Sequence, residues 1–338
     1  MTRTFLLIDT SHMLHRTRHV TSGDIWTQTG LSMHIMLNSI RKCWHMFDAT
    51  HTVFCLEGRS WRKSFYEPYK KNREALYAAK TENDIEADEI FFAAVNDFIE
   101  FIDRRSNCTV LQSPICEADD LIARWVQTHP DDNHIIVSGD TDFIQLLADN
   151  VQIYDGVRNL IIKRDGVYNE KLHPIHFQVK SDSKLKILKE VKAGEENKVD
   201  PDWVDWSLFI KLVRGDAGDN VFSAYPKVRL NAIRKAFEDR HDQKYDWQNF
   251  MLTRWTDHHN KDHRVRDCFE RNRILIDLSA QPDEIIEEMD KIISDAIQVR
   301  ENNQIGLHLL KFCGKYELTR ISDHPSDYTP FLSASYSS

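Results

Sequence analysis

One segment constrains this chain more than any other: His134-Ile135-Ile136-Val137-Ser138-Gly139-Asp140-Thr141-Asp142-Phe143. Its apolar run has the pattern of a buried strand, and Ser138-Gly139 is where the chain leaves the sheet. Residues two apart on an extended chain point the same way, so Asp140 and Asp142 face one pocket. Upstream, Cys116-Glu117-Ala118-Asp119-Asp120-Leu121 packs three carboxylates into four positions where a helix begins. Crowded carboxylates raise one another's pKa unless a cation sits among them. An all-oxygen donor set selects hard divalent ions such as magnesium or manganese. A magnesium site is therefore the first expectation.

The acidic residues recur at the ends of other apolar runs. Thr4 to Ile8 leads into Asp9, and Thr52 to Leu56 leads into Glu57. Between the strands lie stretches with helical spacing, such as Ile35, Met36, Ile40 and Phe47, or Phe91, Val95, Phe98 and Ile102. Strands alternating with helices imply an α/β fold with a mainly parallel central sheet flanked by helices. In such sheets functional groups gather at the carboxyl ends of the strands. Taken singly, Asp119 or Asp120 also suits the positive end of a helix, and Asp140 a helix cap. Their shared position at strand ends favours metal binding. A further pair, Asp216 and Asp219, follows in Arg214-Gly215-Asp216-Ala217-Gly218-Asp219-Asn220.

With 338 residues, 41% of them hydrophobic, the chain can bury a large core and carry a second lobe. Residues 1–180 form the expected metal-binding core, with a basic segment at about 59–85. A charged loop or hairpin is expected over 181–200, and a helical region over 201–338, opening with Pro201 and an apolar face of Trp203, Trp206, Phe209 and Ile210. The net charge of −9 argues against a polyanionic partner for the chain as a whole. Locally the balance reverses: Arg59, Arg62, Lys63, Lys70, Lys71, Arg73 and Lys80 face only Glu67 and Glu74. Trp61, Phe65, Tyr66, Tyr69 and Tyr77 interleave with them, a combination suited to a single-stranded nucleic acid. Six cysteines without CxxC spacing indicate reduced thiols. No apolar stretch is long enough to span a bilayer and no signal-peptide pattern is present, so a cytoplasmic protein with no membrane partner is expected. The Ser-rich end, Ser333 to Ser338, is expected to fray, with Tyr328 to Leu332 packed on the last helix.

In their order along the chain, Leu7-Ile8-Asp9, Trp61-Arg62-Lys63 through Tyr69-Lys70-Lys71-Asn72-Arg73, Glu117-Ala118-Asp119-Asp120, Ser138-Gly139-Asp140-Thr141-Asp142-Phe143 and Gly215-Asp216 with Asp219-Asn220-Val221 form a specific set. By these motifs the chain resembles the 5′ nucleases of the flap-endonuclease family, which have a PIN-like nuclease fold, and among them the ribonuclease H branch of T-even phages. The resemblance implies that Asp9, Glu117 and Asp119 supply a first metal site, with Asp120 close by. It implies a second from Asp140, Asp142 and Asp219, with Asp216 beside them. Glu57 stands where the family usually has aspartate; its longer arm reaches a metal through water or not at all. Lys70, Lys71 and Arg73 would meet the scissile phosphate from an arch, with Tyr69 near the unpaired nucleotide and Arg59, Arg62 and Lys63 on the nucleic acid. A helical helix–hairpin–helix-type region, about 201 to 240, would grip duplex DNA. Its hairpin lacks glycine, so Lys227, Arg229 and Arg234 would take more of that contact.

The activity so implied is a magnesium-dependent 5′-to-3′ exonuclease and flap endonuclease using two ions, with manganese able to substitute. It would remove RNA primers and adjacent DNA from lagging-strand fragments in replication. Its substrates would be RNA–DNA hybrids and 5′-flap and forked duplexes. A sliding clamp and a single-strand DNA-binding protein are partners by analogy. The protein would act as a monomer, in host cytoplasm if phage-encoded. Two alternatives stay open: a non-catalytic branched-DNA binding protein of the same fold, and a PIN-type endoribonuclease. The second lacks the Asp216–Lys227 element, and the intact acidic motifs weigh against the first.

Overall fold

The computed structural model describes residues 2–20 and 24–337, excepting the side chains of 16–20. The elements run β1 (Thr4–Asp9), α1 (Thr10–Val20), α2 (Ile25–Met46), β2 (His51–Leu56), α3 (Arg62–Phe65), α4 (Asn72–Ala78), α5 (Glu82–Arg105), β3 (Thr109–Gln112), α6 (Ala118–Thr128) and β4 (Asn133–Val137). A 3-10 turn over Thr141–Leu146 leads to β5 (Val151–Asp155), β6 (Leu160–Lys163), β7 (Gly166–Asn169), β8 (Pro174–Val179) and β9 (Leu185–Glu190). The remainder is α7 (Trp203–Arg214), α8 (Leu230–Glu238), α9 (Tyr245–Leu252), a hairpin of β10 (Arg254–Thr256) and β11 (Asp262–Arg264), α10 (Val265–Ile276), α11 (Asp283–Ala296), α12 (Ile305–Lys315), α13 (Thr319–Ser322) and α14 (Thr329–Ser333).

The sheet has nine strands in the order β3-β2-β1-β4-β5-β6-β7-β8-β9. From β3 to β5 the neighbours are parallel, the α/β core that alternating strands and helices predict. From β5 onward the sheet continues as an antiparallel meander. Side chains of β1 alternate between two cores: Phe5 and Leu7 enter one, Leu6 and Ile8 the other. Because both faces are covered, the central strands are continuously apolar rather than alternating.

Two of the expected boundaries need correction. Of the loop and hairpin forms expected for 181–200, the hairpin holds for its first half, since β9 lies within it and pairs with β8, so the sheet runs past residue 180. Leu185 is buried and Ile187 packs on the core, alternating with exposed Lys184 and Lys186. Nor does 201–338 form one helical lobe. Only α7 to α10 build a separate hydrophobic cluster. Ile285, Met289 and Ile293 of α11 cover one face of the sheet, while α12, α13 and α14 cover the other through Leu309, Phe312, Ile321 and Phe331. Of the Ser-rich end, Ser338 lies outside the described residues, and the stretch before it is anchored rather than frayed. Tyr336 is buried and stacks on Phe5 at 6.1 Å between ring centroids.

The Phe5 ring is also flanked by His51 and His134, at 6.2 and 5.8 Å. His51 is satisfied as a neutral ring, with Nδ1 2.9 Å from the Ala334 carbonyl and Nε2 2.8 Å from Thr109 Oγ1. Burial pushes both histidines down to about 4. A depressed pKa means the unfolded chain takes up the proton first, so the neutral rings stabilise the fold fully above about pH 6.5. That contribution is lost as pH falls from about 6.5 toward 4, by up to roughly 3 kcal/mol per ring. The His51→Gln protein is expected to lose less stability than wild type between pH 7 and pH 5. Parallel denaturation curves for the two proteins across that range would refute this account.

Candidate active site

The strand order places the carboxyl ends of β2, β1 and β4 side by side. Asp9 therefore lies between Glu57, just after β2, and the Ser138–Asp142 turn after β4. The amino end of α6 approaches from one sheet face and brings Glu117 as its N-cap, with Asp119 and Asp120 in the first turn. The chain after β2 lies directly on the loop before α6: Gly58 N–H donates to the Cys116 carbonyl at 3.1 Å and Trp61 N–H to that of Ile115 at 2.7 Å. A Cβ at Gly58 would sit 2.0 Å from the Ser113 carbonyl, so only glycine permits this approach. Asp216 and Asp219 come from the loop after α7, where Gly215 takes φ 75° with no room for a side chain beside the Val221 carbonyl.

Asp9 is buried, accepting from Ser138 Oγ at 2.9 Å and from the His12 backbone N–H at 3.2 Å. Burial raises its pKa. Asp119 has no hydrogen bond or ion pair among the described residues, and its neighbours are Asp140, Asp9, Asp142 and Glu57. Burial, then those like charges, drive its pKa far above the ordinary carboxylate value. Glu57 accepts from the Ala118 N–H at 3.1 Å and turns toward the cleft. Although the side chain is 42% exposed, partial desolvation against the cleft wall pushes it up to about 7, with Lys70 opposing and Glu117 and Asp9 adding to the effect. Asp119 lines two hollows. One is a cleft of about 450 Å³ that includes Asp9, Glu57, Lys70, Arg73 and Asp140; the other is small and includes Glu117, Asp142, Asp216 and Asp219.

Two lysine ammonium groups stand among these acids. Lys70 pairs with Glu117 and lies 3.9 Å from Glu57 and 3.7 Å from Asp219. Its backbone takes φ 54° and is pinned by its N–H to the Asp219 carbonyl at 2.8 Å. Lys211 pairs with Asp142 and lies 2.7 Å from Asp216. Burial opposes the charged form of each lysine, but the surrounding carboxylates more than offset it, so both pKa values are raised. Likewise Lys70 and Arg62 outweigh burial and hold Glu117 below its usual value, and Lys211 does the same for Asp216. Lys211 escaped the sequence reading. Its signal was a single lysine in the apolar run Leu208-Phe209-Ile210-Lys211-Leu212-Val213, a position a lysine rarely takes without a carboxylate partner.

Among the described residues no three donors already close into a metal cage. The donor set nevertheless fits hard divalent ions. It is all oxygen, it holds an unpaired aspartate among like charges, and small hard cations keep several waters rather than demanding a closed protein cage.

Several expected site residues have other work. Asp120 is fully buried and takes Arg62 Nη2 at 2.7 Å and Nη1 at 2.8 Å, Trp61 Nε1 at 3.1 Å and Gln281 Nε2 at 3.2 Å. With its oxygens so engaged it supports the site instead of facing a metal. Arg62 is not on a nucleic-acid surface, being buried between Asp120, Glu117 and the Leu275 carbonyl. Tyr69 and Trp61 are buried and offer no stacking face; the Tyr69 hydroxyl bridges Glu117 at 2.9 Å and Asp219 at 2.8 Å. Arg234 is engaged by Asp200 at 3.0 Å and Glu238 at 3.1 Å, over the Trp206 ring. Arg73 reaches Asp219 at 2.7 Å from an exposed position, and Lys71 pairs with Glu67. Arg59, Lys63, Lys227 and Arg229 are exposed, the last two on the loop between α7 and α8.

Comparison with known proteins fits this geometry. Residues 4–172, half of the chain, match the model of the 5′-3′ exonuclease N-terminal resolvase-like domain. The chain belongs to that 5′-3′ exonuclease family. It is 28% identical over 177 residues to the flap endonuclease Xni of Psychromonas ingrahamii, a match spanning half of this chain and 63% of that relative's length. In fold it is similar to the bacteriophage T5 flap endonuclease, solved as a pseudo-enzyme–product complex with DNA and metal ions. The TM-score is 0.58 at 19% identity, covering 88% of this chain and all of that one. A zinc-bound structure of the T5 5′-exonuclease gives a TM-score of 0.57 at 19% identity over 87% of this chain and all of the other.

Two outcomes are expected from the site. Arg62→Met leaves Asp120 buried without its partner and should cost about 3–5 kcal/mol of unfolding free energy, read from urea denaturation; an undiminished midpoint would show the pair is dispensable. Lys211→Met removes the cation between Asp142 and Asp216. The metal-free protein should melt lower than wild type, and magnesium should raise its melting temperature by more than it raises that of wild type.

Proposed function

We propose that the protein is a divalent-metal-dependent 5′ nuclease, acting as a 5′-to-3′ exonuclease and flap endonuclease on 5′-flap and forked duplexes and on RNA–DNA hybrids. Magnesium is the ion of this reading, two per site, with manganese able to substitute. The observation that carries it is Asp119, half-buried without a cation of its own on the wall between two acid-lined hollows. Membership in the 5′-3′ exonuclease family and the DNA and metal ions in the T5 relative's structure support the same reading.

Asp9, Glu117 and Asp119 would hold one ion, and Asp140, Asp142, Asp216 and Asp219 the other. Bound there, the ions acidify a water and neutralise the departing oxygen of a phosphodiester. The protein's own part is to position and to compensate charge. Lys70 and Lys211 neutralise the carboxylates of the metal-free site, and Lys70, on the wall of the larger cleft, would add positive charge where the transition state gains negative charge. Tyr69 keeps Glu117 and Asp219 at a fixed separation. Exposed Arg59, Lys63 and Arg73 receive the backbone of the unpaired strand. Leu76 and Tyr77 on α4, both well exposed, replace the buried Trp61 and Tyr69 as surfaces on which a base could rest. Lys227 and Arg229 meet the duplex. In replication this activity would remove RNA primers and adjacent DNA from lagging-strand fragments, beside a sliding clamp and a single-strand DNA-binding protein.

The test uses a 5′-labelled RNA–DNA hybrid and a 5′-flap duplex, with magnesium or with chelator. Wild type should release short 5′ products only with magnesium, and Asp142→Asn should bind both substrates while cutting neither. Tight binding without product from the wild-type protein would instead identify a branched-DNA binding protein.

A further inference from the structure

The β10–β11 hairpin plays no part in the site described above, and its construction is unusual. Arg254 and Arg264 are direct partners across the two antiparallel strands. Among the described strands this is the only pair that sets two like charges opposite each other. Like charges at that spacing repel and weaken a sheet, and neither arginine has a carboxylate partner among the described residues. Thr256 and Asp262, the next pair on the same face, bond to each other at 2.7 Å instead.

The hairpin is otherwise built to hold its shape. On its other face Trp255 stacks on His263 at 4.6 Å, and Trp255 Nε1 donates to the Ala224 carbonyl at 2.9 Å. That carbonyl belongs to the loop between α7 and α8 that also carries exposed Lys227 and Arg229. At the tip, Asp257 accepts from the backbone N–H groups of His259 at 2.8 Å and Lys261 at 3.0 Å, fixing the turn. Lys261 is exposed there, with no ion pair among the described residues. A rigid ribbon that spends stability to keep two guanidinium groups side by side is fitted to a partner that repays it with closely spaced negative charge. A phosphate backbone is such a partner, and arginine's planar fork matches its oxygens.

We propose that the β10–β11 hairpin is a wing that grips the phosphate backbone of duplex DNA through Arg254, Arg264 and Lys261, extending the footprint of the Lys227–Arg229 loop on which it is anchored. The inference rests on the nuclease reading above, and it adds a contact independent of base sequence.

The test compares the full-length protein with an Arg254→Thr/Arg264→Thr double variant, in chelator so that nothing is cut. Binding is measured over a range of salt to two duplexes of unrelated sequence, to a single strand and to a glutamate-rich peptide. Duplex affinity should fall equally for both sequences, and the slope of log affinity against log salt should flatten by about two, one phosphate contact per arginine. Single-strand affinity should not change. The melting temperature should hold or rise, because the repulsion is gone, which separates lost contact from lost fold. An unchanged duplex slope overturns the wing, as does a loss confined to the single strand or to the acidic peptide. Wild-type protein with no salt-dependent duplex binding overturns the nuclease reading as well. A Lys227→Ala/Arg229→Ala protein that loses slope while the wing variant keeps it leaves that reading standing and removes only the wing.

Discussion

Arg62 places one guanidinium between Asp120, Glu117 and the backbone carbonyl of Leu275, joining three parts of the chain that are far apart in sequence. Its own segment leads through α3 into α4, the two acids open α6, and Leu275 lies near the end of α10 in the helical lobe. The ion pair is sealed from water, so its worth lies less in net stabilisation than in what it forbids. A buried charge with several fixed partners has one arrangement, and any shift of the α3 segment, α6 or the lobe would leave a charge unpaired in a medium of low dielectric constant. The carboxylates that face the cleft inherit that rigidity. Glu117 is the clearest case, because Ser60, Arg62 and Tyr69 all donate to its Oε2 and leave Oε1 to Lys70.

Around this fixed base the site balances opposite demands. The acids must be close enough to share ions, yet closeness raises their pKa values and works against folding in the absence of metal. Lys70 and Lys211 resolve the conflict by standing among the acids as internal counter-ions. Asp9, Asp119 and Asp140 have no cation partner among the described residues, and Asp119, which also accepts no hydrogen bond there, is where the need for an external cation is greatest.

Much of this was legible in the sequence, because it depends on local pattern. Apolar runs ending in acids located the carboxyl ends of the strands, and carboxylates grouped at a helix start located the amino end of α6. The residues misread are those whose roles depend on what folds back over them. Arg62, Tyr69 and Trp61 have the composition of a nucleic-acid surface, but α10 closes over Arg62, the loop after α7 over Tyr69, and Trp61 is held against Asp120 and the loop before α6. Arg234 sits on a helix face that Asp200 happens to reach. Leu185 and Ile187 did carry a strand's alternation, masked by the lysines between them. The return of α11 to α14 onto the core could not be seen at all, since an amphipathic helix shows that it has a buried face but not which surface buries it.

The meander carries a further implication for how the molecule behaves among its own copies. A sheet that lengthens strand by strand ends in a row of backbone groups able to recruit another chain, and the hazard grows with each strand added. Here the last strand is β9, where Lys186, Lys189 and Glu190 are exposed and a charged turn with Gly194 follows. A further strand laid alongside would have to pack against those charges. The charge that reads in the sequence as a solvated loop or hairpin thus lies along the ninth and last strand, where it opposes the addition of a tenth.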